Sequence, residues 1–381
     1  MIILLLNPAC LLSLFIWVLL VLFPSRWRMS TRWEALNDND SSNMQLPFLS
    51  VIIPARNEST SLPMTLPSWL QQDYPNSEII IVDDESNDDT VACAKKIAGQ
   101  SNRSVKIIHG TPKPESWTGK LWALEQGVRI ASGEWFLFTD ADIYHNQNVW
   151  KHLVQTALKE KKDMVSLMAL LDTQGKWAEL LIPAFIYFFH QLYPFPDACN
   201  NKSRTAAAAG GCILVSRRSL EKIGGLAGHS NAWIDDIALA KRLKKAGFPI
   251  ALYFTQSVIS IRPYLLLRDI WHMVARNAFT QLNYSWFALM GTFFGMSVMY
   301  VAPVAGVFTF MRNPIISLIS LVTLFLMALT YYPTIRFYKQ RSWRSLTLPI
   351  AGALYLAMTL TSAINHLKGH RHWRGTRNNN V

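Results

Sequence analysis

Cysteine is scarce in this chain. Cys10, Cys93, Cys199 and Cys212 are the only four in 381 residues, with no Cys-x-x-Cys pair and no zinc-ligand spacing among them. A disulfide framework and a structural zinc site are thereby excluded, and all four read as plain thiols. Internal repeats are absent too, which excludes a solenoid or a propeller. No zinc-finger, helix-turn-helix or RNP pattern occurs. That absence carries weight because the formal net charge is +12, a balance that otherwise invites a nucleic-acid partner. Lys and Arg flanking membrane spans, drawn to anionic lipid, account for the excess more simply. The apolar run Ile2 to Phe23 also lacks a basic segment before it and a small-residue cleavage site after it, so a retained anchor fits better than a cleaved signal peptide.

What the chain does hold is apolar sequence at both ends. Ile2 to Phe23 is interrupted only by the polar Asn7 and Ser13, and about 20 such residues cross a bilayer. Three more runs follow: Trp286 to Met311, Pro314 to Tyr332 and Leu346 to Ile364. The polar middle has room for one domain of ~200 residues. The division expected is an anchor over 1–24 and a juxtamembrane linker over 25–46, polar from Asn37 to Gln45. A soluble domain over 47–280, a membrane region of two to three spans over 286–365 and a basic tail over 366–381 complete it. Arg26, Arg28 and Arg32 follow the first span, so the soluble domain is expected on the cytoplasmic side. Arg336, Lys339, Arg341 and Arg344 put the loop before the last run on the same side. The tail, with Lys368, Arg371, Arg374 and Arg377, then breaks the rule, unless one C-terminal run is re-entrant or interfacial. Residues 177–196, rich in aromatics and broken by Pro183 and Pro194, are either an interfacial segment that guides lipid or a core helix.

Within the soluble domain, Leu49 to Ile53 and Glu78 to Val82 are β-branched runs that read as buried strands. Helical spacing follows each, at Leu62, Leu66, Trp69 and Leu70 and then from Thr90 to about Ala98, and a third strand runs from Val105 to His109. This alternation predicts a parallel α/β sheet, in which ligands sit beyond the carboxyl ends of the strands. Pro54 to Glu58, Asp83-Asp84 and Asp140-Ala141-Asp142 all fall at such ends, the last after a strand over Trp135 to Phe138. Carboxylates gathered at one edge repel unless a cation or hydrogen-bond donors balance them. Asp84 suits a nucleobase N–H. Asp140 and Asp142 suit Mg²⁺ or Mn²⁺, which take oxygen ligands from one or two carboxylates plus phosphates. Alone, an Asp-x-Asp is as readily a loop with solvated side chains. Trp117-Thr-Gly-Lys120 precedes a helix predicted over Leu121 to Ile130. Gly119 permits close approach and Lys120 suits a phosphate or a base carbonyl, although an ordinary capped helix start looks the same.

These residues carry a resemblance. Val51-Ile-Ile-Pro-Ala-Arg-Asn-Glu58, Ile81-Val-Asp-Asp-Glu-Ser-Asn-Asp-Asp-Thr90, Gly119-Lys120 and Thr139-Asp-Ala-Asp142 resemble the ordered motifs of the inverting family 2 glycosyltransferases, over roughly Pro47 to Arg276. Trp117-Thr-Gly-Lys-Leu-Trp-Ala-Leu124, Val165-Ser-Leu-Met168, Leu181-Ile-Pro-Ala-Phe185, Ala206-Ala-Ala-Ala-Gly-Gly-Cys212 and Ile234-Asp-Asp236 are similar, more narrowly, to the bacterial hopene-associated members. The resemblance implies a GT-A fold, a Rossmann-like mixed sheet flanked by helices, with an N-terminal anchor and a C-terminal helical bundle in the membrane. It implies a nucleotide-diphosphate sugar as donor, a UDP-sugar, held by Pro54, Ala55, Arg56, Glu58, Asp83, Asp84, Gly119, Lys120 and Asp140. A membrane lipid is the implied acceptor, a hopanoid in the narrower resemblance; polyprenyl-phosphate and sphingolipid acceptors are the alternatives. A non-catalytic membrane scaffold is the bland reading, at odds with the retention of every acidic motif.

The second half supplies the base. Trp233 to Leu243 has apolar spacing at Ile237, Leu239, Ala240 and Leu243, with Asp235 and Asp236 in its first turn. Acidic residues there cap helices routinely. By resemblance, the second of them, Asp236, is the base that takes the acceptor hydroxyl's proton, with Asp235 in support. The chain departs from the pattern after this helix. Where many membrane-bound relatives carry Gln-x-x-Arg-Trp, it reads Ile270-Trp-His-Met-Val-Ala-Arg-Asn277, with neither the Gln nor the Trp. That favours a single transfer over processive extension. Arg276 and His272, four apart, either face the diphosphate or lie on a membrane-surface helix. Ala206 to Gly211 either leaves room for a sugar ring or packs tightly against a strand.

Overall fold

A computed structural model describes residues 2–36, 44–368, 372–373 and 376–377. Most of the polar linker Asn37 to Gln45, and Arg371 and Arg374 of the tail, lie outside them. The chain divides into two compact units, one of residues 30–172 and 193–262, the other of residues 1–29, 173–192 and 263–381. The expected soluble domain, 47–280, thus draws on both.

The first unit is built on one eight-stranded sheet. Its strands are β1 (Leu49–Ala55), β2 (Ser77–Asp83), β3 (Val105–His109), β4 (Trp135–Thr139), β5 (Ile143–His145), β6 (Met164–Leu171), β7 (Cys212–Ser216) and β8 (Ile250–Ser260), in the order β3-β2-β1-β4-β7-β6-β8-β5. The β3-β2-β1-β4 half is parallel, β7 is antiparallel to both β4 and β6, and β5 is antiparallel to β8. The sheet is therefore mixed.

Unbroken apolar strands are needed because both faces are covered. Val51, Ile53, Ile79, Ile81 and Leu137 join Leu66, Trp69, Trp150 and Leu153 in one core. Ile52, Ile80, Val82, Phe136 and Phe138 join Leu121 and Leu124 in another. The alternation of Val51, Ile52 and Ile53 between the two cores is the period of two of a strand. The helix after β3 begins at Gly119 rather than Leu121 and ends at Ile130. Thr118, extended at φ −81° and ψ 151°, is its cap and accepts from the Leu121 N–H, so Gly119 and Lys120 sit inside the first turn.

The second unit is helical. Helices over Trp286–Val307, Pro314–Phe337 and Ser342–Leu367 are long and apolar enough to cross a membrane and fit a membrane bundle. The N-terminal helix runs Ile2–Leu22; the part of it described in full, Leu6–Leu22, is apolar and shorter than these, so the anchor expected there rests on less. A π-helical turn, Ser297–Val301, interrupts the first long helix. Such a turn frees backbone carbonyls that an apolar environment cannot hydrate. The Met299 carbonyl accepts from Trp17 Nε1 at 3.2 Å and from Ser13 Oγ at 3.3 Å. Residues 177–192 form one helix, Lys176–Leu192, that keeps Pro183 inside it. It stops two residues before Pro194, where the residue preceding a proline is pushed out of helical backbone.

Candidate active site

The carboxyl ends of β1, β2 and β4 and the starts of two helices carry most of the residues singled out in the sequence. At the β1–β2 end, the Asp84 N–H donates to the Ala55 carbonyl at 2.8 Å, next to Pro54. Arg56 Nη1 lies 3.4 Å from Asp84 Oδ2, both side chains being largely buried. Burial pushes the Asp84 carboxyl above its ordinary value, and Arg56 pulls it back. Asn57 adopts a left-handed φ of 55°. That turn lets its N–H reach Ser86 Oγ at 3.0 Å while its Oδ1 accepts from the Asn87 N–H at 2.8 Å, which ties the two loops together. Glu58, buried, is anchored through its N–H to Thr90 Oγ1 at 2.8 Å and accepts from Ser61 Oγ at 2.8 Å. A Cβ at Gly119 would stand 2.7 Å from Asp84 Oδ2, so only glycine brings this helix so near.

Asp83 Oδ1 is buried with no hydrogen-bond partner. A buried acceptor left unpaired costs ~1–3 kcal/mol. It is the kind of atom a nucleobase N–H would satisfy.

The second cluster surrounds Lys120. Its Nζ lies 2.7 Å from Asp140 Oδ1 and 3.7 Å from Asp235 Oδ2. Burial alone would lower the ammonium; Asp140, Asp235 and Asp236 outweigh it and hold it above its ordinary value. Asp236 accepts from the Gly210 N–H at 2.8 Å and from the Ile237 N–H at 2.7 Å. A Cβ at Gly210 would lie 3.2 Å from Lys120 Nζ and 3.3 Å from Asp236 Oδ2, which shows how closely this turn sits over both. Burial, and then the neighbouring Asp235, push the Asp236 carboxyl up to about 7, against Lys120 and the two N–H donors. A carboxyl poised there changes charge near neutrality, as a general base should.

A hard cation fits the Asp140–Asp142 turn only in part. Asp142 is buried, Asp140 already engages one cation in Lys120, and the described residues contain no group of three or more His, Cys, Asp or Glu that would hold a metal. Two carboxylates suffice for an ion that completes its shell with diphosphate oxygens and water. The turn itself is rigid: the Ala141 carbonyl accepts from Thr65 Oγ1 at 2.8 Å and the Ile143 carbonyl from Trp69 Nε1 at 3.0 Å.

Arg276 belongs to the helical unit, on the helix Leu267–Gln281. The structure also brings in groups that sequence reasoning did not find. The Gly210 N–H is a donor to Asp236, whereas Gly210-Gly211 reads in sequence only as small side chains. Thr139 and His145 form a buried hydrogen-bonded pair at the end of β4. Thr139 opens the Thr139–Asp142 motif, but nothing in the sequence marks its pairing with His145, three residues after the Asp-x-Asp.

Residues 50–224 match the family described as Glycosyl transferase family 2. Among curated relatives, a dolichyl N-acetyl-alpha-D-glucosaminyl phosphate 3-beta-D-2,3-diacetamido-2,3-dideoxy-beta-D-glucuronosyltransferase from Methanococcus voltae is 31% identical over 135 residues, 35% of this chain and 40% of that one. A 4,4'-diaponeurosporenoate glycosyltransferase from Staphylococcus haemolyticus is 26% identical over 221 residues, 57% of this chain and 56% of that one. A beta-monoglucosyldiacylglycerol synthase from Trichormus variabilis is 26% identical over 227 residues, 56% of this chain and 44% of that one. The chain thus spans about half the length of these relatives. A solved mannosyltransferase from Pyrobaculum calidifontis, in complex with GDP-Man and Mn²⁺, shares the fold with a TM-score of 0.54 at 16% identity, over 95% of this chain and 99% of that one. The fold is therefore GT-A-like, and over residues 50–224 the chain is similar to Glycosyl transferase family 2.

Proposed function

We propose that this protein is a membrane-bound glycosyltransferase that moves a sugar from a nucleotide-diphosphate sugar to a lipid hydroxyl, in a single transfer with inversion. The observation that carries the reading is the Lys120 cluster. One ammonium shared by Asp140 and Asp235 lies beside a carboxyl, Asp236, that titrates near neutrality. An anion-receiving group and a base stand side by side.

In this reading Asp236 takes the proton of the acceptor hydroxyl as its oxygen bonds to the anomeric carbon. The bond from that carbon to the diphosphate breaks on the opposite face. Lys120, in the first turn of its helix, receives the charge that develops on the departing diphosphate. Asp235 keeps Lys120 oriented and holds Asp236 high enough to act. Asp83 and Asp84, with Arg56, Glu58 and the Pro54–Ala55 strand end, hold the nucleobase and ribose, and Gly119 lets the backbone approach. Asp140 and Asp142 would hold Mg²⁺ or Mn²⁺, which supplies further neutralisation of the diphosphate.

The relatives' names support a lipid acceptor, since a diacylglycerol glycoside, a carotenoid acid and a dolichyl phosphate sugar appear among them. UDP as the nucleotide and a hopanoid as the acceptor extend this reading through the sequence resemblance. The basic residues after the first span support an inner-membrane protein whose sheet unit faces the cytoplasm. The test is product formation by membranes containing the full chain, given a panel of nucleotide sugars, Mg²⁺ or Mn²⁺ and a total bacterial lipid extract. Metal-dependent glycolipid that disappears in Asp236→Asn and Asp142→Ala is the expected result, and its mass identifies sugar and acceptor. Normal turnover by Asp236→Asn would remove the base assignment.

A further inference from the structure

We propose that His145 is a positioning residue for this transfer, holding through Thr139 the Gly210–Gly211 turn that carries the hydrogen bond to Asp236. The proposal rests on Asp236 acting as the base.

The chain of contacts can be followed atom by atom. Trp150 Nε1 donates to His145 Nδ1 at 2.9 Å. An indole nitrogen only donates, so Nδ1 is the bare nitrogen of the ring. The proton of the neutral ring therefore sits on Nε2, which lies 3.1 Å from Thr139 Oγ1. The Thr139 hydroxyl, having accepted from His145, donates to the Gly211 carbonyl at 2.9 Å. The next residue back, Gly210, donates its N–H to Asp236 Oδ2 at 2.8 Å. Thr139 is also the residue before Asp140, whose carboxylate meets Lys120 at 2.7 Å.

Only one arrangement of protons satisfies every atom of this chain. A charged imidazole would set an N–H against the Trp150 N–H. Burial pushes the ring down to about 3, so it is neutral at neutral pH. His145 is nearly sealed from solvent and does no acid–base work. Desolvating an imidazole is costly unless its nitrogens are used, and here both are. Both ends of the chain are fixed as well. Trp150 is fully buried and donates its own N–H to Gln72 Oε1 at 3.2 Å, while Thr139 pairs with Cys212 across the β4–β7 ladder. The geometry thus links the strand end before Asp140 to the turn over Asp236 through this chain, beside the β4–β7 ladder and Ser166 Oγ, which bonds the Ala209 N–H and carbonyl.

Four substitutions in the full-length chain separate positioning from mere packing. His145→Asn keeps an acceptor where Nδ1 stood and loses the donor to Thr139. His145→Gln does the reverse. Thr139→Val removes the hydroxyl, and Thr139→Ser restores it. Membranes are assayed with whichever of UDP-glucose, UDP-N-acetylglucosamine and GDP-mannose the wild type turns over, with Mn²⁺ and a bacterial lipid extract.

Loss of kcat by about 10-fold is expected in His145→Asn and Thr139→Val, with donor KM changed by no more than about twofold. His145→Gln and Thr139→Ser should stay within about threefold of wild type in kcat. The double variant His145→Asn/Thr139→Val should be no slower than the slower single variant, because both break the same chain. Melting temperatures are read for all. A packing role alone predicts that kcat follows melting temperature and that Asn and Gln behave alike. Equal losses in Asn and Gln, or additive losses in the double variant, overturn the proposal. Where both His145 variants fold poorly, Thr139→Val against Thr139→Ser decides by the same kcat comparison. A wild type that forms no product with any donor sinks the glycosyltransferase reading and this proposal with it; an active wild type with four unchanged variants sinks this proposal alone.

Discussion

In the sheet unit Trp69, Trp150 and Phe136 are sealed from solvent, and charged side chains gather at strand ends. In the helical unit Phe287, Phe308 and Met311 are 88%, 83% and 91% exposed, while Ser317, Ser320, Thr323 and Thr330 are buried. The same chain thus hides apolar groups in one unit and polar ones in the other. Water explains the first pattern, since burying apolar area is the main drive to fold there. A lipid surrounding explains the second, because tails do not penalise exposed Phe or Leu and small hydroxyl residues let helices approach. Two of these hydroxyls bond within their own helix, Thr323 Oγ1 to the Ile319 carbonyl at 2.8 Å and Thr330 Oγ1 to the Met327 carbonyl at 3.1 Å. Ser317 Oγ reaches the Val307 carbonyl at 3.0 Å, and Ser320 Oγ has no hydrogen-bond partner among the described residues. The sheet unit spends its polar groups on a site; the helical unit spends them on holding itself together.

Substitutions in the two units should therefore differ in what they damage. Asp236→Asn should lower kcat by about 10²–10⁴. It should not lower the melting temperature at pH 8, because a carboxyl whose folded pKa is raised is penalised in its charged form once the pH exceeds that value. A large loss of melting temperature would mean that Asp236 is structural. Lys120→Met should cost about 10²–10³ in kcat, read from steady-state rates, since it leaves Asp140 and Asp235 without the cation between them.

The pH profile is the next in size. The base must be ionised, so kcat should fall about 10-fold per unit as pH drops below about 7, with a plateau above, and the limb should vanish in the residual activity of Asp236→Asn. Gly119→Ala sets a methyl 2.7 Å from Asp84 Oδ2 and should raise donor KM about 10-fold at nearly constant kcat. A fall in kcat with unchanged KM would place Gly119 away from the donor. Tyr187→Phe, in the helical unit, removes a 2.8 Å hydrogen bond to Thr330 and should cost only ~0.6 kcal/mol in detergent unfolding, with no effect on donor KM. An effect on KM there would erase the division of labour between the units.

The first four strands were open to reading in advance because each carries a β-branched or aromatic run, whereas Ile143–His145, Met164–Leu171 and Ile250–Ser260 were not assigned from the sequence. Val105 to His109 and the helix Thr90–Ala98 fall where the spacing puts them. Lys176–Leu192 did not, since Pro183 signals a break that this helix absorbs. The start of the Gly119 helix shifted by two residues, because Thr118 can cap from its side chain before any apolar periodicity begins. Of the proposed site residues, Lys120, Asp140, Asp235 and Asp236 come together, and Asp84, Arg56 and Gly119 form a second group. The pairing of Lys120 with Asp140 was not legible, because a motif names a residue but not the direction of its side chain.

By itself the amino-acid sequence determined the apolar spans, the alternation of strands and helices, and which carboxylates fall at strand ends, for these are local properties of pattern and backbone. Only the tertiary structure decided that β7 runs antiparallel between β4 and β6, a pairing of segments far apart in the chain. That reversal brings the Gly210 N–H to Asp236 and the Gly211 carbonyl to Thr139. Hydrogen bonds depend on distances of tenths of an ångström between groups up to 72 residues apart, and no local preference encodes such distances.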